Sequence, residues 1–207
     1  MRVLTIKFKI MRNPFLVLLV IVTSLVNAQQ RKVSLATVDK VEGIPMFLFS
    51  EPVEEYEIVG KAVTGGHILK LTLDETSTID DKAKQLVEKA LKRKEDGKVP
   101  EFDAIIVDVF KEKAKAIKFK NGVSLKAKVE KENGVPVYFY SKPIKDYEIV
   151  ALLPRDYSLY AANNLLYDKI KSSVNRILKK EESGEVGHFD AVIFDPEDLS
   201  TTLVKFK

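Results

Sequence analysis

Two related stretches decide the fold. "GIPMFLFSEPVEEYEIVG" covers residues 43–60 and "GVPVYFYSKPIKDYEIVA" covers residues 134–151, at an offset of 91. Further along, the offset falls to 87, where "FDAIIVD" from Phe102 matches "FDAVIFD" from Phe189. Self-similarity at a fixed spacing indicates repeated structural units. The sequence therefore predicts two copies of one unit, in residues 31–120 (the first half) and residues 121–207 (the second half).

Each half has the pattern of strands followed by one helix. "VSLATV" and "VSLKAKV" alternate apolar with polar or small residues, as strands with one buried face do. Pro45 and Pro136 stand where the next strand begins, and the Ser-x-Pro motif is expected to end that strand. "YEIV" then begins a third strand. "FDAIIVD" and "FDAVIFD" are nearly continuous in apolar character, which favours a central strand covered on both sides.

One amphipathic helix is predicted in each half. Thr78 with Asp81 can cap the first helix, and Gly97 and Gly184 are expected to end the two helices. The apolar stripes consist of Ile79, Ala83, Leu86, Val87, Ala90 and Leu91, and of Leu166, Ile170, Val174, Ile177 and Leu178. The predicted fold is α+β, a tandem duplication of a β-β-β-α-β-β unit with antiparallel or mixed sheets, each covered by one helix.

The N-terminal residues resemble a secretory signal peptide. Four basic residues precede the apolar run "PFLVLLVIV", and the small residues Val26 and Ala28 precede an expected cleavage point. Residues 1–28 are therefore interpreted as a cleaved signal, starting at Met1 or Met11, and the mature protein as periplasmic or extracellular. The apolar run is too short to span a bilayer as a helix, so no transmembrane anchor is expected in the mature chain.

Charge and cysteine content narrow the function classes. The chain has 34 basic and 30 acidic residues, and removal of the four basic residues of the signal leaves 30 of each. A neutral mature protein gives no electrostatic reason to expect nucleic-acid binding. The chain contains no cysteine, so the fold has to be stabilised by its core without disulfides.

One segment in each half resembles the YbjQ-like proteins, a family labelled as heavy-metal-binding. The resemblance covers residues 56–120 and the aligned part of the second half, with Tyr56-Glu57-Ile58-Val59 to Gly65, a helix, and Asp103-Ala104-Ile105-Ile106. It implies an α+β fold of strands around one helix, with oligomerisation through sheet edges and no firmly assigned activity. The second half departs from the pattern at "ALLPRD", residues 151–156, where a loop function is not carried over.

Ligand-binding candidates are few. His67 lies in the Gly-rich stretch "TGGHILK", and His188 stands beside Asp190. Asp103 and Asp190 occur at matching positions, as do Asp108 and Asp195, and carboxylates are ligands for hard cations. The alternative is that the histidines are surface residues and the acids mark the solvated ends of a buried strand. No metal is identified and no cofactor is expected.

The aromatic residues offer a different candidate. Phe47 with Phe49, and Tyr138 with Tyr140, are two residues apart, so a regular strand would place each pair on one face. Such a face could bind a partner or a sugar, or it could pack in the core or an oligomer. No nucleophile motif or phosphate-binding loop is recognised, so no catalytic residue is expected.

The leading hypothesis is an exported, non-enzymatic interaction or assembly module that binds a protein partner or itself. The alternative is an envelope protein that binds a small ligand or a metal ion. A hydrolase with an unrecognised site is the third.

Overall fold

The computed structural model describes residues 33–63, 78–108, 111, 113–154, 166–196 and 200–207. Residues 1–28, which the sequence analysis interprets as a signal peptide, and His67 lie outside the described residues. Ser34–Lys207 form one compact unit. The elements of the first half are β1 Leu35–Val38, β2 Lys40–Val41, β3 Ile44–Leu48, β4 Ser50–Pro52, β5 Tyr56–Lys61, α1 Ile79–Glu95, β6 Ala104–Asp108 and β7 Lys113–Phe119. Those of the second half are β8 Lys126–Val129, β9 Lys131–Glu132, β10 Val135–Phe139, β11 Ser141–Pro143, β12 Tyr147–Leu153, α2 Leu166–Glu182, β13 Ala191–Phe194 and β14 Thr201–Phe206.

The described strands form three sheets. The first half has a sheet in the order β2-β3-β6-β7-β5, and the second half one in the order β9-β10-β13-β14-β12. The pairs β3–β6 and β10–β13 are parallel, whereas the other pairs are antiparallel. The third sheet has the order β11-β1-β8-β4 and is antiparallel. The protein is therefore α+β with mixed and antiparallel sheets.

The four-stranded sheet is built from both halves. Ala36 of β1 lies opposite Ala127 of β8, its counterpart at the offset of 91. On either side, Pro143 of β11 is opposite Ala36 and Pro52 of β4 is opposite Ala127. Ala36 matches Ala127 and Pro52 matches Pro143 at the offset of 91, so the two pairings are equivalent and this sheet has an approximate twofold relation between its halves. We call it the shared sheet.

The strand break occurs one residue earlier than predicted. Phe49 and Tyr140 have φ values of 56° and 48°, a region that aromatic residues seldom adopt, and they end β3 and β10. The Ser-x-Pro motifs do not end a strand: they form β4 and β11, which leave the five-stranded sheets for the shared one. Their prolines are tolerated because β4 and β11 are the edges of that sheet.

The predicted capping residues lie at the start of α1 and just beyond the ends of both helices. Thr78 Oγ1 accepts from the N–H of Asp81 at 3.0 Å, and Asp81 Oδ2 accepts from the N–H of Thr78 at 2.7 Å. Gly97 and Gly184 have φ values of 68° and 78° just beyond the helix ends. Their N–H groups donate to Lys94 and Glu181, which satisfies carbonyls of the last turn.

Two apolar cores lie on opposite faces of the five-stranded sheets. The helix-side core contains the buried faces of α1 and α2, and the inner core contains residues of all three sheets. In β6, Ile105 and Val107 belong to the helix-side core, while Ala104 and Ile106 belong to the inner core. The prediction that "FDAIIVD" is a strand covered on both sides is thus confirmed.

The hairpins β2–β3 and β9–β10 have two-residue turns with positive φ at both positions. Glu42-Gly43 and Asn133-Gly134 occupy them, with Glu42 at 48° and Asn133 at 50°. Asparagine tolerates this region better than glutamate does, and Asn-Gly is a preferred sequence for such turns.

We expect Glu42→Asn to stabilise the protein by about 0.5–1 kcal/mol, since it relieves part of the left-handed backbone cost. Urea denaturation measures the gain. Asn133→Glu is the reverse exchange at the matching turn and should lose at least that amount, because it also removes the hydrogen bond that Asn133 Nδ2 donates to Asn175 Oδ1. Equal stability of all three proteins would show that the turn conformation is not the source of the difference.

Candidate functional site

Asp103 and Asp190 have structural partners in the fold. Asp103 Oδ2 accepts from the backbone N–H of Phe119 at 2.9 Å, and Asp190 Oδ2 accepts from that of Phe206 at 2.8 Å. The N–H groups of the two aspartates donate to Ile117 and Val204. Each acid therefore ties the start of one strand to the end of its antiparallel neighbour, and the structure does not bring the two together in a ligand site.

His188 is exposed and contacts a glutamate of α2. Its Nδ1 lies 2.7 Å from Glu181 Oε1, which also accepts from the N–H of Phe189 at 3.3 Å. The pairing with Asp190 suggested by adjacency is not the one the structure shows. Within the described residues, no group of three or more His, Asp or Glu side chains is placed to hold a metal ion.

The aromatic residues are buried, and the prediction of a common face is wrong. Phe47 and Tyr138 lie in the inner core, while Phe49 and Tyr140 lie in the helix-side core. The positive φ values of Phe49 and Tyr140 reverse the normal alternation of the strand. Burial raises the pKa of Tyr138 to about 12, with a smaller opposing contribution from its hydrogen bond with Ser34. These four side chains do not form an exposed binding surface.

Both halves line a polar crevice of about 460 Å³. The first half contributes residues 39–42 around β2 and two side chains of α1, and the second half contributes residues 140–142 and 193–196. This volume falls in the usual range for small-ligand sites. The crevice therefore exists only because the two halves pack together.

One wall of the crevice is a fixed polar triad. The hydroxyl of Tyr140 donates to Asp80 Oδ1 at 2.8 Å, and Lys84 Nζ lies 2.6 Å from Asp80 Oδ2. Asp80 is in the first turn of α1, where the helix dipole favours a negative charge. Because the second half supplies Tyr140 and the first supplies Asp80, this hydrogen bond joins the halves.

A second group of charges also lines the crevice. Partial burial raises the pKa of Asp39; the positive charge of Lys142 opposes that rise, and the negative charge of Asp195 adds to it. The backbone N–H of Asp39 donates to the Tyr140 carbonyl at 2.7 Å, which fixes the position of Asp39. Asp39 and Asp195 are both exposed, so water screens their charges from one another.

Ser141 lines the same crevice and is 3% exposed. Its Oγ has no hydrogen-bond partner among the described residues. A buried hydroxyl that lacks a partner costs free energy, and Ser50 Oγ at the matching position of the other half is in the same state.

One of the three matching positions in the other half differs in charge, because Glu51 stands where the second half has Lys142. Asp39, Lys142 and Asp195 correspond to Glu130, Glu51 and Asp108. Burial raises the pKa of Glu130, and the charges of Glu51 and Asp108 raise it further. Phe49 replaces Tyr140 at its matching position, and it stacks on Tyr167 with ring centroids 6.3 Å apart. The polar triad is therefore specific to the crevice between β2, α1 and β11.

The outer strands β5 and β12 form a second candidate surface. β12 pairs with β14 along one side, and within the described part of the chain no strand pairs with its other side. Ile149 and Leu152 of β12 are 65% and 67% exposed. The position that matches Leu152 in β5 is Lys61. A lysine protects an edge strand against pairing, and β12 lacks that protection.

Sequence reasoning singled out Tyr140 as an aromatic residue and considered Asp195, but it missed the other polar residues of the crevice. Asp39 and Asp80 belong to no motif, whereas Ser141 and Lys142 were noted only as part of the Ser-x-Pro motif. These residues come together through the shared sheet. The replacement of Lys61 by Leu152 at the matching position could have been recognised from the sequence, because the two halves align without a gap from Tyr56 to Lys61.

Comparisons with known proteins identify no relative. No protein-family model matches the chain, and no curated protein and no solved structure matches it. The resemblance to YbjQ-like proteins stays a prediction. Among the described residues, no helix combines the length and the apolar character that a membrane crossing requires.

Proposed function

We propose that the protein is an exported, non-enzymatic assembly module in which β12 pairs with β12 of a second copy. The observation that carries this proposal is the edge of β12, where Leu152 stands in place of the lysine of β5. Exposed apolar edge strands are ready templates for pairing with another chain. Export is supported by the signal-like pattern of residues 1–28.

The proposal includes a tandem duplication of one β-β-β-α-β-β unit. It is supported by the offsets of 91 and 87 and by the pairing of Ala36 with Ala127. That pairing also supports a second copy as the occupant of β12, because the chain already joins matching segments by antiparallel pairing about an axis. Repetition of this contact at β12 gives a closed pair of chains.

The strand bulge does not distinguish the two edges. The register shifts between Ile58 and Gly60 in β5 and between Ile149 and Ala151 in β12. Both edges are therefore twisted in the same way. They differ in charge and in apolar exposure, so we place the contact at β12.

We expect residues 29–207 to form a dimer whose dissociation constant rises at least about tenfold in Leu152→Lys, because a charge replaces apolar surface in the contact. Sedimentation over a range of protein concentrations measures the change. Ile149→Lys is a second variant at the same edge and should act in the same way.

Val123→Lys is the matched control, since Val123 is 57% exposed and outside β5 and β12. It should leave the dimer unchanged. A monomer at every concentration contradicts the proposal, and so does a dimer that tolerates both β12 variants. Loss of the dimer in Val123→Lys alone would place the contact elsewhere.

A further inference from the structure

One face of the shared sheet is exposed. Ala36 and Val38 of β1, with Ala127 and Val129 of β8, belong to the inner core, so the residues that alternate with them point away from it. We call that side the outer face. It has two rows across the strands, one of Lys142, Thr37, Lys126 and Val53 and one of Ile144, Leu35, Lys128 and Glu51. All eight residues are exposed.

The positive charge of the outer face comes from the second half. Three of its positions hold lysine in the second half only: Lys126, Lys128 and Lys142 match Leu35, Thr37 and Glu51 at the offset of 91. Thr37 lies between Lys142 and Lys126, and Lys128 is two residues from Lys126 along β8. Neighbouring lysines are therefore about 7–10 Å apart. Three positive charges stand against one negative charge, and they are not a feature that both halves repeat.

Apolar side chains lie beside these lysines. Ile144 follows β11 directly, and its N–H donates to the Leu35 carbonyl at 3.3 Å, so the two residues are neighbours on adjacent strands. Leu35 is 42% exposed and Ile144 is 47% exposed. Val53, at the far end of the other row, is 37% exposed. Exposed apolar residues among lysines suit a partner that offers an apolar layer together with negative charge.

We propose that the outer face binds the surface of a bilayer that contains anionic phospholipid. The lysines contact the headgroups, and Leu35 and Ile144 enter the boundary between headgroups and acyl chains. A nucleic acid offers the charge but no apolar layer, and the outer face has no aromatic side chain on which a base could stack. A second copy of the face is opposed by charge, since six lysines would meet two glutamates.

The size of the outer face also favours a membrane over a folded protein partner. Four strands with two outward positions each give a face of about 20 Å by 10 Å. A stable protein interface buries about 800 Å² of each partner, which is far more than this face provides. A bilayer has no such requirement, because each lysine near an anionic surface adds to binding separately. The outer face does not include β12, so the proposal is independent of dimerisation.

Co-sedimentation of residues 29–207 with phospholipid vesicles tests the proposal. We expect saturable binding to phosphatidylcholine vesicles that contain about one third phosphatidylglycerol, no binding to pure phosphatidylcholine, and release at about 0.5 M salt. Lys126→Gln combined with Lys128→Gln should weaken the binding at least about tenfold, since one lysine contributes about fivefold near such a surface. Leu35→Ser combined with Ile144→Ser should weaken it about threefold or more.

Two variants are matched controls. Lys118→Gln combined with Lys205→Gln removes the same charge from exposed positions of β7 and β14, and Ile58→Ser removes an exposed isoleucine of β5. Both should bind the vesicles as the wild type does. The proposal is overturned if the wild type ignores the anionic vesicles, if it binds pure phosphatidylcholine equally, or if Lys118 and Lys205 matter as much as Lys126 and Lys128. Binding to a DNA duplex without binding to vesicles also overturns it.

Discussion

A fragment of residues 33–120 is expected not to fold as a cooperative monomer, although it contains every element of the first half. Circular dichroism in increasing urea should show no cooperative transition for this fragment at low concentration. The same measurement on residues 29–207 should show one. The fragment is expected to lose the whole free energy of unfolding, which is about 5–15 kcal/mol for an ordinary domain.

The shared sheet is the reason. Within the described chain, both partners of β1 are strands of the second half, β8 and β11, and the partner of β4 is β8. Cutting the chain leaves these strands without hydrogen-bonded neighbours, which is costly for buried backbone groups. The inner core loses Ala127, Val129 and Tyr138 at the same time.

Mixing the fragment with residues 121–207 should restore the fold, because the pairings need no covalent link. Cleavage of the intact protein between Asn121 and Gly122 is the control and should leave the transition in place. A cooperative, monomeric transition of either fragment alone would contradict the expectation and show that each half carries a sufficient core. Dimerisation of the fragment would instead indicate that two first halves reproduce the shared sheet.

Much of the fold could be predicted because its signals are local. The helix caps at Thr78 and Gly97 and the continuous apolar strand at Ala104 follow from sequence patterns within a few residues. The departure of β4 and β11 from the five-stranded sheets into the shared sheet could not be predicted. It depends on the positive φ values of Phe49 and Tyr140. Nothing in the local sequence requires that conformation of an aromatic residue.

The candidate site was harder to predict than the fold. Asp103 was singled out because it recurs as Asp190, and His188 because of its residue type; each has a local partner in the structure. Asp39 looks ordinary in the sequence, and Ser141 was noted only for its place in the Ser-x-Pro motif. They become notable only when the shared sheet brings residues 39–42 and 140–142 to one crevice. Chemistry that depends on long-range pairing leaves no motif in either segment.

Lys169 of α2 is a buried charge that weakens the fold. It is 4% exposed, and its Nζ has no hydrogen-bond partner among the described residues. Burial lowers the pKa of Lys169 from 10.5 to about 8. A buried ammonium without a partner is costly because water solvated it in the unfolded chain.

We expect Lys169→Met to raise the free energy of unfolding at pH 7 by up to about 3 kcal/mol, the value that corresponds to a pKa lowered from 10.5 to about 8. Methionine has a similar length and an apolar, adaptable side chain, so it should fill the same space. Urea denaturation of the two proteins measures the difference, and unchanged circular dichroism of the variant excludes rearrangement.

The pH dependence separates this charge effect from better packing. Below pH 8 the lysine is protonated in both states, so the wild type bears the full cost. Between pH 8 and 10.5 the unfolded state binds more protons than the folded state, so the stability of the wild type rises with pH. The advantage of Lys169→Met should therefore shrink through this window and be lost above it.

Lys82→Met, at the matching position of α1, is the control and should show no such change. A gain that stays constant to pH 10.5 would contradict a buried charge, and a loss of stability at pH 7 would show that Lys169 has a stabilising partner in the native protein.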